Sequence, residues 1–157
     1  MRLLRTLSLA SAVGAWVVIV IGGYVSASGS GLGCGGIIFC DNPRDPVAAV
    51  IETTHRLAAW VEGLLVLAML VLVLWRYRSW RPVRNLTALA FVLVAAQSAV
   101  GIVAVATELN ALVVAAHTGF ATAFLAVAVI NAAAVIRGPP PTSASPVSPS
   151  ASAPETA

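Results

Sequence analysis

Four long apolar runs dominate the 157-residue chain, at about residues 7–25, 47–75, 86–107 and 111–136. Each is long enough to cross a bilayer, because a helix rising roughly 1.5 Å per residue needs about 20 residues to span the hydrocarbon. None alternates between apolar and polar residues, and each far exceeds the ~10 residues of a membrane β-strand. The pattern therefore predicts an all-α membrane protein, a bundle of four transmembrane helices.

Composition and charge agree with this fold class. Hydrophobic residues make up 59% of the chain and charged residues 10%, against about 25% charged residues in an ordinary soluble domain. This excludes a soluble globule and a disordered chain. The net charge of +3 does not indicate nucleic-acid binding, because the basic residues are all Arg and most lie between the apolar runs, where they set topology. The partner that they indicate is the lipid bilayer.

The arginines predict the orientation of the bundle. Seven of the nine fall on one side, at Arg2, Arg5, Arg76, Arg78, Arg81, Arg84 and Arg137. Arg44 alone lies in the loop on the other side, and Arg56 lies near the outer end of the second span. Since loops rich in Arg stay in the cytoplasm, we expect a multi-pass protein of the cell membrane with both termini cytoplasmic and the loop 27–46 outside.

The two ends of the chain have their own patterns. Residues 1–27 resemble a signal peptide, with a basic start and a possible cleavage site at Val25-Ser26-Ala27, but the apolar run of about 19 residues exceeds the usual 7–15. We therefore expect a first span and a helical domain over residues 1–137. Residues 138–157 are rich in Pro, Ser and Ala, which predicts a disordered cytoplasmic tail.

The outer loop contains both cysteines, Cys34 and Cys40. An even count in an oxidising location favours a structural disulfide. A redox-active pair is the alternative, although the spacing is not C-x-x-C, so nothing marks a lowered thiol pKa. The glycines from Gly31 to Gly36 match G-x-G-x-x-G, but a dinucleotide site needs a preceding strand and a following helix. We expect a flexible loop packed against helix ends.

The two histidines carry the strongest chemical signal. His55 lies about eight residues into the second span and His117 about seven into the fourth, so both are roughly 10–12 Å below the outer boundary. Two imidazoles at one depth on different helices are what axial ligation of a heme iron requires. The alternative is that each is a hydrogen-bonded interior histidine.

Three other charged residues accompany His55 in the second span. Glu52, three residues away, shares its helical face and could bond a ligand histidine, act as a buried acid or base, or reach the interface. Arg56 could bind a heme propionate or pair with Glu52 or Asp45. Glu62 lies about 10 Å deeper than His55, where we expect a protonated or paired carboxyl. Polar groups inside a membrane are costly and mark function.

These residues together resemble the heme A synthase family. The resemblance covers about residues 16–125 and rests on Gly22–Val25, Ser28–Cys34, Cys40, Glu52–Ala58, Gln97, Gly101, Leu109, Asn110, Ala116 and His117. The family is an eight-helix membrane protein of two similar halves that oxidises a ring methyl of heme O to the formyl group of heme A. The chain resembles its amino-terminal half. Glu62 departs from the family pattern.

The resemblance implies a role for each site residue. His55 and His117 would be the axial ligands of heme iron, Glu52 the carboxylate important for oxidation, and Cys34 and Cys40 a disulfide, with Arg56 as a further heme-binding residue. Heme b, or heme O and heme A as bound substrate and product, would occupy the site. The resemblance makes the chain an oxidoreductase whose partners would include heme O synthase and an electron acceptor.

The family has two similar halves, whereas this chain has a single pair of histidines. We therefore expect a homodimer with a two-fold axis along the membrane normal, in which each chain takes the place of one half. Two other functions stay open. A heme-b cytochrome would transfer electrons without oxidising the ring, and a thiol-disulfide membrane enzyme would use the two cysteines.

Overall fold

A computed structural model describes residues 1–36, 40 and 42–139. This part of the chain forms four long helices and no strand: α1 (Arg2–Ala27), α2 (Pro46–Arg76), α3 (Arg81–Ala106) and α4 (Ala111–Arg137). All four are long and apolar enough to cross a membrane, which confirms the predicted fold class. Most of the predicted tail, residues 140–157, lies outside the described residues.

The helices extend beyond the apolar runs, mainly where arginines begin them. We predicted spans from about residues 7 and 86, but α1 begins at Arg2 and α3 at Arg81. A helix of 26 residues is about 39 Å long, whereas the hydrocarbon is about 30 Å thick. The extra turns therefore reach the headgroup region, where arginine is tolerated.

Local signals fix where two helices begin. Asp45 caps α2, its carboxylate accepting hydrogen bonds from the N–H groups of Val47 and Ala48 at 2.7 and 3.0 Å, and Pro46 occupies the first turn. Asn110 caps α4 by accepting from the N–H of Leu112 at 3.0 Å. Both arrangements satisfy backbone donors that a helix start leaves free.

The helices pack in the cyclic order α1–α2–α3–α4, each against its two neighbours. Helices α2 and α4 therefore lie on one diagonal of the bundle. We call the end that carries Arg2, the α2–α3 loop and Arg137 the arginine end. The opposite end, with the Cys34–Cys40 loop and the α3–α4 loop, is the cysteine end.

A stripe of inward-facing residues with alternating spacings of three and four runs along α2, as in other helix bundles. Its buried members are Ala49, Glu52, Glu62, Val66, Met69 and Val73. Apolar side chains fill the middle and the arginine end of the bundle. Near the arginine end the amide of Asn131 donates to the hydroxyl of Thr87 at 3.1 Å. Glu52 and His55 lie towards the cysteine end, and Glu62 lies near the middle of α2.

Candidate functional site

His55 lies half-buried on α2 against the backbone of α1. A Cβ atom at Gly22 would lie 2.8 Å from the Cε1 atom of the imidazole, which is closer than carbon atoms pack. The ring therefore occupies a notch that only glycine leaves open. The backbone of Val18, one helical turn before Gly22, lies beside the ring. Within the described residues, Nδ1 of His55 is buried and has no hydrogen-bond partner.

His117 lies half-buried on α4 and occupies the corresponding place on α3. A Cβ atom at Gly101 would lie 3.1 Å from its Cε1 atom. Its Nδ1 atom is 2.8 Å from the backbone carbonyl oxygen of Gln97, one turn before Gly101. Because a carbonyl oxygen only accepts, Nδ1 carries the proton and Nε2 is left with its lone pair free, as a metal-ligating imidazole requires.

The two histidines have similar backbone surroundings, although only His117 is hydrogen-bonded to the carbonyl beside it. In each case a glycine lies five residues before the last residue of its helix. The residue four positions earlier, Val18 or Gln97, lies beside the imidazole of the next helix. Since α2 and α4 are diagonal in the bundle, the rings are carried on opposite helices near the cysteine end.

This arrangement fits a heme held by two axial histidines. Each notch seats an imidazole, and His117 has a free Nε2 on a ring that is oriented through its other nitrogen, the usual way in which a protein prepares a histidine ligand. Among the described residues, no three His, Cys, Asp or Glu side chains come together as a metal-ion cluster. A heme needs only two protein ligands.

Glu52 is buried, with 3% of its surface exposed, and faces the outer loop. One carboxylate oxygen accepts a hydrogen bond from the backbone N–H of Cys34 at 2.8 Å, and the other pairs with Arg56. The idea that Glu52 reaches the interface as a solvated charge is therefore wrong. Both oxygens are held, so the carboxylate has a fixed position.

Arg56 joins Glu52 to the loop. Both of its terminal nitrogens donate to the carbonyl oxygen of Gly36, at 3.1 Å each. Of the two carboxylates that the sequence left open as its partner, Glu52 is the one it pairs with, while Asp45 caps α2. Its side chain is 19% exposed.

Cys34 and Cys40 form a disulfide, with their Cα atoms 4.8 Å apart. Cys34 is buried and Cys40 exposed. Because the N–H of Cys34 bonds Glu52, the disulfide closes the loop that holds the carboxylate. Residues 37–39 and 41 of this loop lie outside the described residues. The glycine motif Gly31–Gly36 lies in the same loop, which begins with a short 3₁₀ turn.

Glu62 lies apart from this loop, against α1. Its carboxylate accepts a hydrogen bond from the hydroxyl of Ser11 at 2.7 Å and fills the space that a side chain at Gly14 would take. The partner of Glu62 is thus a neutral hydroxyl, and the protonation of this carboxyl stays a prediction.

Several residues of these contacts have no individual sequence signal. Val18 lies beside His55 through its backbone, and Ser11 is an ordinary small residue of a membrane helix. Gly22, Gly101 and Gln97 occur in the family-like motifs, but nothing in the sequence says that the two glycines face histidines. The sequence feature that could have indicated these contacts is the placement of Gly22 and Gly101, each five residues before the end of its helix.

Comparison with known proteins agrees with this description. Residues 43–154 match the COX15-CtaA family, described as cytochrome oxidase assembly protein. The chain is 35% identical to the heme A synthase of Bacillus pumilus strain SAFR-032 over 125 residues, covering 74% of this chain and 39% of that protein. It is 34% identical to the heme A synthase of Exiguobacterium sibiricum over 110 residues, covering 66% and 36%.

A third relative extends the match. The heme A synthase of Alkalihalophilus pseudofirmus is 29% identical over 137 residues, covering 81% of this chain and 44% of the relative. The chain thus spans about two fifths of the length of the curated relatives that it matches.

Proposed function

Because the chain belongs to the COX15-CtaA family, which includes the heme A synthases, we propose that it binds heme O in the membrane and takes part in its oxidation to heme A. His55 and His117 would hold the heme iron. Glu52 is the carboxylate that assists the oxidation. Heme b is the other heme that the same ligands would hold.

The observation that carries this proposal is the packing of the two imidazoles, each of which lies against a glycine of a neighbouring helix. Gly22 and Gly101 leave room for the rings, and the carbonyl of Gln97 holds the tautomer of His117 whose Nε2 is free. A histidine that only satisfies an interior hydrogen bond needs no glycine notch, and within the described residues His55 Nδ1 has no such bond. Two such seats on diagonal helices support a ligand held between them.

A bound heme supplies the redox chemistry at its iron and ring. The protein residues supply position and charge. Glu52, one helical turn from His55, would supply a fixed negative charge near a heme held by that histidine, or would take up a proton. Arg56 and the N–H of Cys34 keep this carboxylate in place. The disulfide keeps the loop closed over it.

A cytochrome that transfers electrons without oxidising the ring is the second candidate function. This function is favoured by the contacts of Glu52, because both carboxylate oxygens already have partners and a structural role would account for them. In that case Glu52 and Arg56 only fasten the loop to α2. The disulfide of Cys34 and Cys40 leaves no thiol for the third candidate, a thiol-disulfide enzyme, unless it is first reduced.

Identification of the bound pigment tests the proposal. The full chain is produced in a bacterial host that makes heme O but lacks heme A synthase, and the extracted hemes are separated by chromatography. Heme A in the wild-type extract and its absence with Glu52→Gln support the proposal. A wild-type protein that contains low-spin heme but yields no heme A would favour the cytochrome.

The orientation is a proposal of its own. The seven arginines at the arginine end support cytoplasmic termini and an external Cys34–Cys40 loop. Both native cysteines are in the disulfide, so an introduced cysteine is the one free thiol. A membrane-impermeant thiol reagent added to intact cells should label Thr107→Cys at the cysteine end and leave Ser79→Cys unlabelled; the reverse pattern would overturn the orientation.

The homodimer, heme O synthase and the electron acceptor stay predictions. The native mass of the protein extracted in lipid nanodiscs tests the first: twice the mass of the chain supports a dimer, and the mass of one chain contradicts it.

A further inference from the structure

Gln97 presents a buried polar group that nothing described so far uses. The residue is 7% exposed, and within the described part of the chain its side-chain oxygen Oε1 is buried and has no hydrogen-bond partner. A buried amide oxygen without a donor is costly, and such groups are rare unless a ligand or a water satisfies them. Gln97 is thus a candidate contact for a ligand with a donor group.

The position of the amide follows from the backbone. The carbonyl of Gln97 accepts the hydrogen bond from Nδ1 of His117, so the side chain begins beside the imidazole. Side chains of a helix lean towards its N-terminus, which for α3 is the arginine end. The amide is therefore within one side-chain length of the backbone carbonyl that holds His117, and it is buried in the bundle.

The chemistry of heme O identifies a donor for this oxygen. Heme O and heme A carry a long alkyl side chain with a hydroxyl group at the ring position where heme B carries a vinyl group. The other substituents of heme O are apolar or are propionates, which only accept hydrogen bonds when ionised, and the formyl group that heme A adds is also an acceptor. An amide oxygen accepts a hydrogen bond from a hydroxyl group.

We propose that the Gln97 amide is the subsite for the side-chain hydroxyl of heme O, by which the protein distinguishes heme O from heme B. This inference rests on the proposed binding of heme by His55 and His117. A buried acceptor that is paired with heme O and unpaired with heme B disfavours heme B, which is how polar sites reject analogues lacking a hydroxyl. Heme A keeps the hydroxyl, so the subsite also holds the product.

Binding titrations with defined hemes test the subsite. The full chain, produced without heme and placed in nanodiscs, is titrated with heme O, heme A and heme B, and the low-spin absorption gives each Kd. Gln97→Met removes the amide, retains the length of the side chain and leaves the backbone carbonyl that holds His117. Ser98→Ala is the control, because that hydroxyl is exposed and bonds the carbonyl of Val94 in its own helix.

Gln97→Met should raise the Kd of heme O and of heme A by about tenfold, the usual effect of one lost hydrogen bond in a dry site. The Kd of heme B should fall, because the variant removes the unpaired acceptor that disfavours this heme. Ser98→Ala should change none of them. Equal weakening of all three hemes, or no weakening, overturns the inference while the proposed function stands. Absence of low-spin binding by the wild type with any heme overturns both.

Discussion

The backbone N–H of Cys34 donates a hydrogen bond of 2.8 Å to the carboxylate of Glu52. This bond joins the disulfide loop to the residue that we place at the oxidation chemistry. The other oxygen of the same carboxylate pairs with Arg56, which in turn bonds the carbonyl of Gly36. The carboxylate and the loop therefore hold each other in place.

Removal of the disulfide tests this mutual support. The double variant Cys34→Ser, Cys40→Ser keeps the N–H donor but removes the covalent link between two residues six positions apart. The loss should lower the free energy of unfolding by about 2 kcal/mol. Thermal unfolding in nanodiscs should show the loss. Low-spin heme and some heme A formation should persist. A complete loss of oxidation with intact heme binding would instead indicate that the disulfide takes part in the redox chemistry.

Replacement of the carboxylate separates binding from chemistry. Glu52→Gln still accepts the bond from Cys34 but removes the negative charge, so heme A formation should fall by at least about a hundredfold, as when a transition-state charge is left unstabilised. The low-spin heme spectrum should be kept. Glu108→Gln, at an exposed glutamate of the α3–α4 loop, is the control. Normal heme A accumulation in Glu52→Gln would show that Glu52 only fastens the loop.

The space that Gly22 and Gly101 leave for the two imidazoles can be tested by alanine substitution. A Cβ atom would lie 2.8 Å from the imidazole of His55 at Gly22 and 3.1 Å from that of His117 at Gly101. Gly22→Ala should therefore displace its ring and weaken low-spin heme absorption, and Gly101→Ala should do so to a smaller extent. Gly23→Ala and Gly119→Ala are matched controls, because nothing lies within 4 Å of a Cβ at those positions.

The two control variants also have an expected effect on stability. Alanine is favoured over glycine inside a helix by about 0.5–1 kcal/mol, so the two control variants should be as stable as the wild type or more stable, with normal spectra. Normal spectra in Gly22→Ala and Gly101→Ala as well would show that the rings do not depend on these seats.

The polar contact in the middle of the bundle should contribute to stability. Ser11→Ala removes the hydroxyl that donates to Glu62 and leaves a buried carboxyl without this partner, at a cost of about 1–3 kcal/mol. Ser98→Ala, whose exposed hydroxyl bonds its own helix, should have little effect. Equal melting temperatures for the two variants would mean that Glu62 finds another partner, such as water.

The sequence alone predicts those features of the fold that depend on a single stretch of residues. Apolar length is a property of each run by itself, so four helices could be identified, although the helices begin as much as five residues earlier because arginines extend them at their ends. The histidines stood out because imidazoles are rare inside a membrane. Their depth followed from the helical rise alone.

What depends on the rotation of neighbouring helices could not be predicted. Whether Gly22 faces His55, and whether Arg56 turns to Glu52 or to Asp45, is decided by how α1, α2 and the loop pack. The contribution of Val18 is invisible for a further reason, since its backbone and not its side chain lies beside His55. Buried serines such as Ser11 resemble the many small residues of membrane helices.

Ligation of one heme by His55 and His117 is tested most directly by the low-spin heme spectra of the variants His55→Ala and His117→Ala. The wild type, purified with heme in nanodiscs, should show the absorption of iron with two imidazole ligands. Each variant should lose that spectrum and gain a high-spin or heme-free one, while its helix content by circular dichroism is unchanged. A full low-spin spectrum in either variant would contradict the account.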